Sequence, residues 1–308
     1  MVAIKVRALS KSFRGYPVLR DVTFDVPEGR VAGFLGPNGA GKTTTLKVLI
    51  GLLRRDRGLV EVLGLDPWEE GMELRERVGV LHEKPLYPRG ARVSTLLRYV
   101  ARLRGRSYRE ALEAAKATGV ADYLEQPVAS LSRGYLQRLG IALALIGDPE
   151  LLLLDEPTAN LDPLARMRLL NLVRALHKDL GVTVVVSSHI IPELSLVCDY
   201  AVFIAGGRTL EWGSMEELAK KYGVSSTYRI RAAEPRALAR ELIGLSYVSA
   251  VEVGEGAVKV RVEGGYVDAF LRELDTLGRA YQVKWIAYEG GELAPLYERI
   301  VVSRGVAS

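Results

Sequence analysis

The chain has 308 residues, of which 48% are hydrophobic and 26% are charged, and its net charge is +5 at pH 7. This length suits one large domain or two ordinary ones, and the absence of a basic tail argues against a nucleic-acid-binding protein. A single cysteine, Cys198, excludes an intramolecular disulfide framework.

Short apolar segments separated by turns dominate the first third of the chain. Two alternating segments within Val2–Val26 predict antiparallel strands, and Val31–Gly36 predicts a buried strand that leads into a glycine-rich loop. A helix is predicted after that loop, at about Lys42–Leu53. Two further strands are predicted at Gly58–Gly64 and Val78–Glu83.

The glycine-rich loop reads GPNGAGKTT and has the composition of a phosphate-binding site. Backbone N–H groups of such a loop, together with the positive end of the next helix, bind phosphate oxygens. Lys42 would contact the β- and γ-phosphates, and the Thr43 hydroxyl would bind Mg²⁺. The predicted nucleotide-binding residues here are Gly36, Pro37, Asn38, Gly39, Ala40, Gly41, Lys42, Thr43 and Thr44.

Helical periodicity covers residues 91–147, which we predict to form a helical subdomain. Two continuous apolar segments follow, Leu151–Asp155 and Val182–Ser188, and both are typical of central parallel strands. Between them, Asp162 and the proline after it predict the start of a helix. A closing hairpin is predicted at Ala201–Gly213.

Three polar residues follow these two central strands. Asp155 and Glu156 end the first strand, where a carboxylate pair suits Mg²⁺ binding and the polarisation of an attacking water. His189 follows the second strand directly and would lie at the same edge of the sheet. We therefore predict Glu156 and His189 as catalytic residues, with Asp155 binding the metal through a water.

The last 90 residues show a different order of elements. Their predicted pattern is strand, helix, two strands, helix and strand, with a terminal helix at about Leu293–Val302. This βαββαβ order predicts a small α+β domain with a ferredoxin-like fold at residues 219–308. The predicted boundary separates it from an ATP-binding domain at residues 1–218.

Taken in chain order, these motifs resemble the ATPase subunit of ABC transporters, of the exporter type whose permease is a separate chain. The resemblance covers about Val2–Leu218. It identifies GPNGAGKTT as the Walker A loop, LSRGY as the signature and LLLLDE as the Walker B strand. The other residues that it identifies are Phe13 (stacking on adenine), Glu83 (the Q-loop position, a metal ligand), Ser132 and Gly134 (the signature), Asp162 (the D-loop) and His189 (the switch histidine).

The resemblance also implies a fold, partners and a location. The fold is α/β, a P-loop ABC ATPase domain with a mixed sheet core, an antiparallel β subdomain and a helical subdomain. Two copies would meet head to tail around two Mg-ATP, with each nucleotide between one Walker A loop and the opposing signature. The dimer would drive a membrane permease from the cytoplasmic face, without binding nucleic acid. Arg133, Tyr135 and Glu83 differ from the residues that are usual at these positions in the family. The sequence does not predict how these differences affect the rate of ATP hydrolysis.

Two points stay open at the level of sequence. A soluble, non-transport ABC ATPase with a ligand-regulated C-terminal domain is the alternative function. The transported substrate is not predicted, because in this family the substrate contacts belong to the permease.

Overall fold

A computed structural model describes residues 1–88, 90–195, 197–291 and 293–304. The chain divides into two compact units, Met1–Trp212 and Gly213–Ser308. The predicted boundary between residues 218 and 219 falls inside a helix, α8 (Met215–Tyr222), that belongs to the second unit. The sequence pattern did not reveal this helix, although Ser214 and Glu217 form a capping box at its start.

The first unit begins with a three-stranded antiparallel sheet. Its strands are β1 (Val2–Phe13), β2 (Tyr16–Pro27) and β4 (Arg57–Val62), in the order β2-β1-β4. Alternate residues of these strands are buried in a core that also includes side chains of the second sheet. The antiparallel β subdomain is therefore confirmed.

The second sheet of this unit has six strands in the order β5-β6-β7-β3-β8-β9. Strands β5, β6, β7, β3 and β8 pair in parallel, so their carboxyl ends meet at one edge of the sheet. The central strands are buried along their whole length, as the continuous apolar runs predicted. The six strands are β3 (Val31–Leu35), β5 (Val78–Leu81), β6 (Leu151–Asp155), β7 (Thr183–Ser188), β8 (Tyr200–Ala205) and β9 (Arg208–Ser214).

Seven α-helices are described in the first unit, and three of them lie in the predicted helical stretch. The sequence pattern does not reveal α2 (Gly71–Arg77) or α7 (Ile191–Leu194), because both are too short to show a clear apolar periodicity. Bounds of the seven are α1 (Lys42–Leu49), α2 (Gly71–Arg77), α3 (Val93–Leu103), α4 (Tyr108–Ala117), α5 (Arg133–Leu145), α6 (Pro163–Leu180) and α7 (Ile191–Leu194).

The second unit has its own hydrophobic core and a four-stranded sheet in the order β11-β12-β10-β13. Neighbouring strands are antiparallel, which with this order is the ferredoxin-like arrangement that the βαββαβ pattern predicted. Its elements after α8 are β10 (Ser226–Ala232), α9 (Pro235–Ile243), β11 (Val248–Gly254), β12 (Ala257–Val262), α10 (Val267–Ala280), β13 (Val283–Gly291) and α11 (Leu293–Ser303). Across the described ranges, no helix is both long enough and apolar enough to cross a bilayer.

Candidate functional site

The glycine-rich loop connects β3 to α1, and two of its glycines are required by close contacts. A Cβ atom on Gly36 would lie 2.1 Å from the carbonyl oxygen of Ile204. Gly41 has a φ of 104°, and a Cβ atom there would lie 2.5 Å from the Leu19 side chain. The loop therefore follows a path that larger residues at these two positions could not follow, and it ends at the N-terminus of α1.

Lys42 is the first residue of α1 and is buried beneath this loop. Its Nζ donates hydrogen bonds to the carbonyl oxygens of Gly36, at 2.7 Å, and of Pro37, at 3.2 Å. The same Nζ lies 3.3 Å from Oε1 of Glu156. These acceptors hold the ammonium group in one position, where its positive charge would neutralise the negative charge of a bound phosphate.

Glu156 follows β6 with a φ of 47°, a left-handed conformation that is uncommon for a residue with a side chain. Its backbone N–H donates to Oγ of Ser187, at 2.8 Å. Its second carboxylate oxygen, Oε2, lies 2.8 Å from Nδ1 of His189. Because an ionised carboxylate can only accept, the histidine donates through Nδ1 in this hydrogen bond.

Asp155 is the last residue of β6 and is 4% exposed. The Ser187 hydroxyl donates to its Oδ1, at 2.6 Å. Ser187 therefore contacts both acidic residues and fixes the end of β6 against the end of β7. Ser187 was not among the predicted site residues, although a serine pair directly before His189, at the carboxyl end of a buried strand, is a readable signal.

A cavity of about 620 Å³ opens at this edge of the sheet. Most of the residues predicted for the nucleotide and the chemistry meet here: Asn38, Gly39, Gly41, Lys42, Thr43, Thr44, Glu83, Glu156 and His189. Residues that the sequence analysis did not predict complete the lining: Val18, Lys84, Ala159, Asn160, Arg166 and Ile190. The volume and the dense positive and N–H donor groups suit a nucleoside triphosphate.

Two other predicted residues, Ala40 and Phe13, do not line this cavity. Ala40 is buried and its N–H donates to the carbonyl oxygen of Pro37, at 3.2 Å, which closes the turn of the loop. Phe13, predicted to stack on adenine, ends β1 with 41% of its surface exposed, and Lys11 Nζ lies 5.5 Å from its ring centre. Stacking of Phe13 on a base therefore stays a prediction.

The signature and D-loop residues line a second cavity, of about 260 Å³. Ser132 caps α5 by accepting the N–H of Tyr135, at 3.4 Å, and Asp162 caps α6 by accepting the N–H of Ala165, at 2.9 Å. Gly134 also lines this cavity. Both helix N-termini face one space in which a bound anion would be favoured.

The predicted metal ligands are a hydroxyl and two carboxylates, which are the hard oxygen ligands that Mg²⁺ prefers. Thr43 and Glu83 line the first cavity, and Asp155 precedes Glu156 at its edge. Within the described part of the chain, no group of three or more histidine, cysteine, aspartate or glutamate side chains is placed to bind a metal. The ligand set fits an ion that is held jointly by the protein and by phosphate oxygens.

Comparisons with known proteins agree with this geometry. A family model described as "ABC transporter" matches residues 19–159. The chain is 34% identical to the bacitracin transport ATP-binding protein of Bacillus licheniformis, over 71% of this chain and 72% of the relative. It is 35% identical to the daunorubicin/doxorubicin resistance ATP-binding protein of Streptomyces peucetius, over 78% and 74%. Among solved structures, a subunit of an ABC transporter complex of Clostridium perfringens matches with a TM-score of 0.64 and 29% identity, over 70% and 90%.

Proposed function

The chain belongs to the ABC transporter family of ATP-binding subunits and is an ATPase, and from that premise we propose that it drives an export permease carried on a separate chain. Two of its relatives with named substrates are a bacitracin transport and a drug resistance ATP-binding protein, which supports the direction of transport. The chain itself acts from the cytoplasmic face, where it is held by the permease.

One observation carries the chemistry that we propose. Lys42, Glu156 and His189 follow three different strands, and their polar side-chain groups meet within hydrogen-bonding or ion-pairing distance at one cavity. Lys42 and the loop N–H groups bind the phosphates, and Glu156 polarises the water that attacks the γ-phosphate. His189 donates to Glu156 through Nδ1 and so fixes the direction of that carboxylate.

Magnesium would supply charge neutralisation on the β- and γ-phosphates. Thr43 would offer its hydroxyl to the ion and Glu83 its carboxylate, and Asp155 would bind it through a water. The hydrogen bond from Ser187 holds the Asp155 carboxylate in one direction for this purpose.

The signature residues do not line the first cavity, so one chain does not close both sides of its own nucleotide site. We propose that a second copy supplies them, with Ser132 and Gly134 facing the γ-phosphate bound by the partner's loop. Two copies then enclose two nucleotides, and cleavage of the γ-phosphate removes the bridge between them.

The decisive test is Glu156→Gln. This variant keeps the shape of the side chain but removes the base, so hydrolysis should fall by about a hundredfold or more while ATP still binds. The dimer should accumulate with Mg-ATP and dissociate with ADP. Phosphate release and light scattering after gel filtration measure the two effects.

Glu150→Gln is a matched control, because Glu150 lies just before the opposite end of β6 and pairs with Arg77. It should hydrolyse ATP normally. Normal turnover in Glu156→Gln would reject the base assignment. A monomer at saturating Mg-ATP in that variant would reject the shared site.

A further inference from the structure

An ion pair joins two segments that flank the nucleotide cavity. Arg166 lies in the first turn of α6, and its Nη1 is 2.8 Å from Oε1 of Glu193 in α7. The Nε of the same guanidinium donates to the carbonyl oxygen of Leu161, at 2.8 Å. Arg166 thus connects the chain after β6 with the chain after β7.

Glu193 lies in the segment that directly follows His189, so its contacts can hold that segment in place. It lies in α7, a helix of four residues that begins at Ile191, two residues after His189. A single helical turn has little stability of its own, so its position depends on contacts with the rest of the unit. The cation of Arg166 is such a contact. Both side chains of the pair are 25% exposed, so solvent weakens it less than it would a surface pair.

Among the described residues, only one of the two oxygens of the Glu193 carboxylate has a hydrogen-bond partner. Its other oxygen, Oε2, is buried and has no hydrogen-bond partner among the residues that the structure describes. A buried carboxylate with one bonded oxygen depends strongly on its cation, because loss of that partner leaves the charge without compensation. The pair is therefore unlike the largely exposed ion pairs of the first unit, such as Arg92–Glu125.

The contacts form a closed ring around the proposed base. Glu156 accepts a hydrogen bond from His189, α7 follows His189, Glu193 binds Arg166, and Arg166 binds Leu161, five residues after Glu156. We propose that Arg166 and Glu193 are positioning residues that hold His189 against Glu156. This inference rests on the roles proposed above for Glu156 and His189.

The ring gives Glu193 an effect on turnover that passes through His189. Glu193 does not line the cavity, although its partner Arg166 does, so replacement of Glu193 by glutamine should change kcat more than nucleotide affinity. It should lower kcat about tenfold, because loss of orientation by a fraction of an ångström costs that much in a positioned site. The variant Arg166→Lys should also lower kcat, since a lysine cannot bind Leu161 and Glu193 in the same fork geometry.

The test is a double-mutant cycle between Glu193→Gln and His189→Ala, with kcat from phosphate release and ADP affinity from calorimetry. His189→Ala alone should lower kcat. In the His189→Ala background, Glu193→Gln should cause no further loss, because the group that it positions is gone. Thermal unfolding of each variant checks that the fold is intact.

The outcomes separate the two proposals. An equal loss from Glu193→Gln in both backgrounds means that the ion pair does not act through His189, which overturns the inference and leaves the proposed function standing. Full turnover in His189→Ala rejects the role of the histidine and the inference together. Glu150→Gln is again the control: it breaks an ion pair of similar length, 2.6 Å, and should change kcat in neither background.

Discussion

At the scale of single residues, the acidic groups of the cavity differ in how they are held. Glu156 is 7% exposed and is contacted by Lys42 and His189. Glu83, by contrast, has 39% of its side chain exposed, and the ammonium group of Lys84 lies 3.7 Å from it. Glu156 therefore has a fixed direction, while Glu83 chiefly adds negative charge to the cavity wall.

Glu83→Gln should strengthen ATP binding in the absence of Mg²⁺. Removing one partly screened negative charge from the wall of a site for a polyanion is worth about 0.5–1 kcal/mol, or roughly a two- to fivefold gain in affinity. With Mg²⁺ present the gain should shrink, because the carboxylate then also contributes to holding the ion. Fluorescent-nucleotide titrations with EDTA and with Mg²⁺ measure both affinities. Equal affinities of the variant and the parent in EDTA would contradict this electrostatic account.

At the scale of elements, a side-chain bridge fixes the connection between β4 and α2. Arg55 donates to both carboxylate oxygens of Asp66, at 3.0 and 2.6 Å, and Asp66 also accepts the N–H of Trp68, at 2.9 Å. These interactions lower the pKa of the Asp66 carboxyl, with the hydrogen bond from Arg55 as the largest cause. The bridge lies outside the nucleotide cavity, so its loss should affect stability alone.

Asp66→Asn should lower the melting temperature at neutral pH by about 2–4 °C, which corresponds to roughly 1 kcal/mol in a domain of this size. A lowered folded-state pKa means that the stabilisation is complete above the unfolded value, near 4, and is lost as pH falls through the folded pKa. The difference between variant and parent should therefore shrink steadily below about pH 4. Thermal unfolding between pH 3 and 8 measures it. A difference that stays constant over this range would show that the charge of Asp66 is not the cause.

At the scale of the whole molecule, the two compact units meet in sequence at Trp212 and Gly213. Helix α8 begins the second unit, and it buries Met215 and Leu218 there. A chain that ends at Leu218 would keep half of this helix without the core that covers it. A chain that ends at Ser214 would end with β9 complete.

We therefore expect the variant with residues 1–214 to be soluble and to hydrolyse ATP, and the variant with residues 1–218 to aggregate more readily. The physical reason is that Met215 and Leu218 would be exposed to water in the longer truncation, without the core that covers them. Static light scattering and phosphate release compare the two proteins at equal concentration. Identical behaviour of the two truncations would place the functional boundary elsewhere. Comparing the turnover of residues 1–214 with that of the full chain shows whether the second unit regulates ATP hydrolysis, as the alternative function requires.

The segment between β5 and α3 is the part of the first unit that we expect the permease to contact. Leu86 is 95% exposed, whereas burial raises the pKa of the Tyr87 hydroxyl next to it and keeps that group neutral. An exposed leucine beside an anchored tyrosine suits a docking contact for an apolar helix face.

Leu86→Asp should leave ATP hydrolysis by the isolated subunit within about twofold of the parent, because surface changes of this kind rarely affect the fold. It should abolish co-purification of the proposed permease partner when the two are expressed together. Leu52→Asp is a control, because Leu52 is also exposed, at 52%, and lies outside this segment. Retained co-purification with Leu86→Asp would reject the docking surface.

Local chemistry by itself determined much of this protein. The glycine spacing before Lys42, the apolar runs that end at Asp155 and Ser188, and the βαββαβ order of the last 90 residues each depend on neighbours along the chain. Periodicity and turn chemistry are local properties, so they predicted the central strands, the strand and helix on either side of the glycine-rich loop, and the ferredoxin-like sheet correctly.

Only the tertiary structure decided how the strand ends meet. The order β5-β6-β7-β3-β8-β9 brings β3, β6 and β7 together, and this brings Lys42, Glu156 and His189 within 3.3 Å or less of their partners. Ser187 and Arg166 acquire their contacts in the same way, through residues distant in sequence. The physical reason is that long-range pairing is set by the packing of whole elements, which no short window of sequence contains.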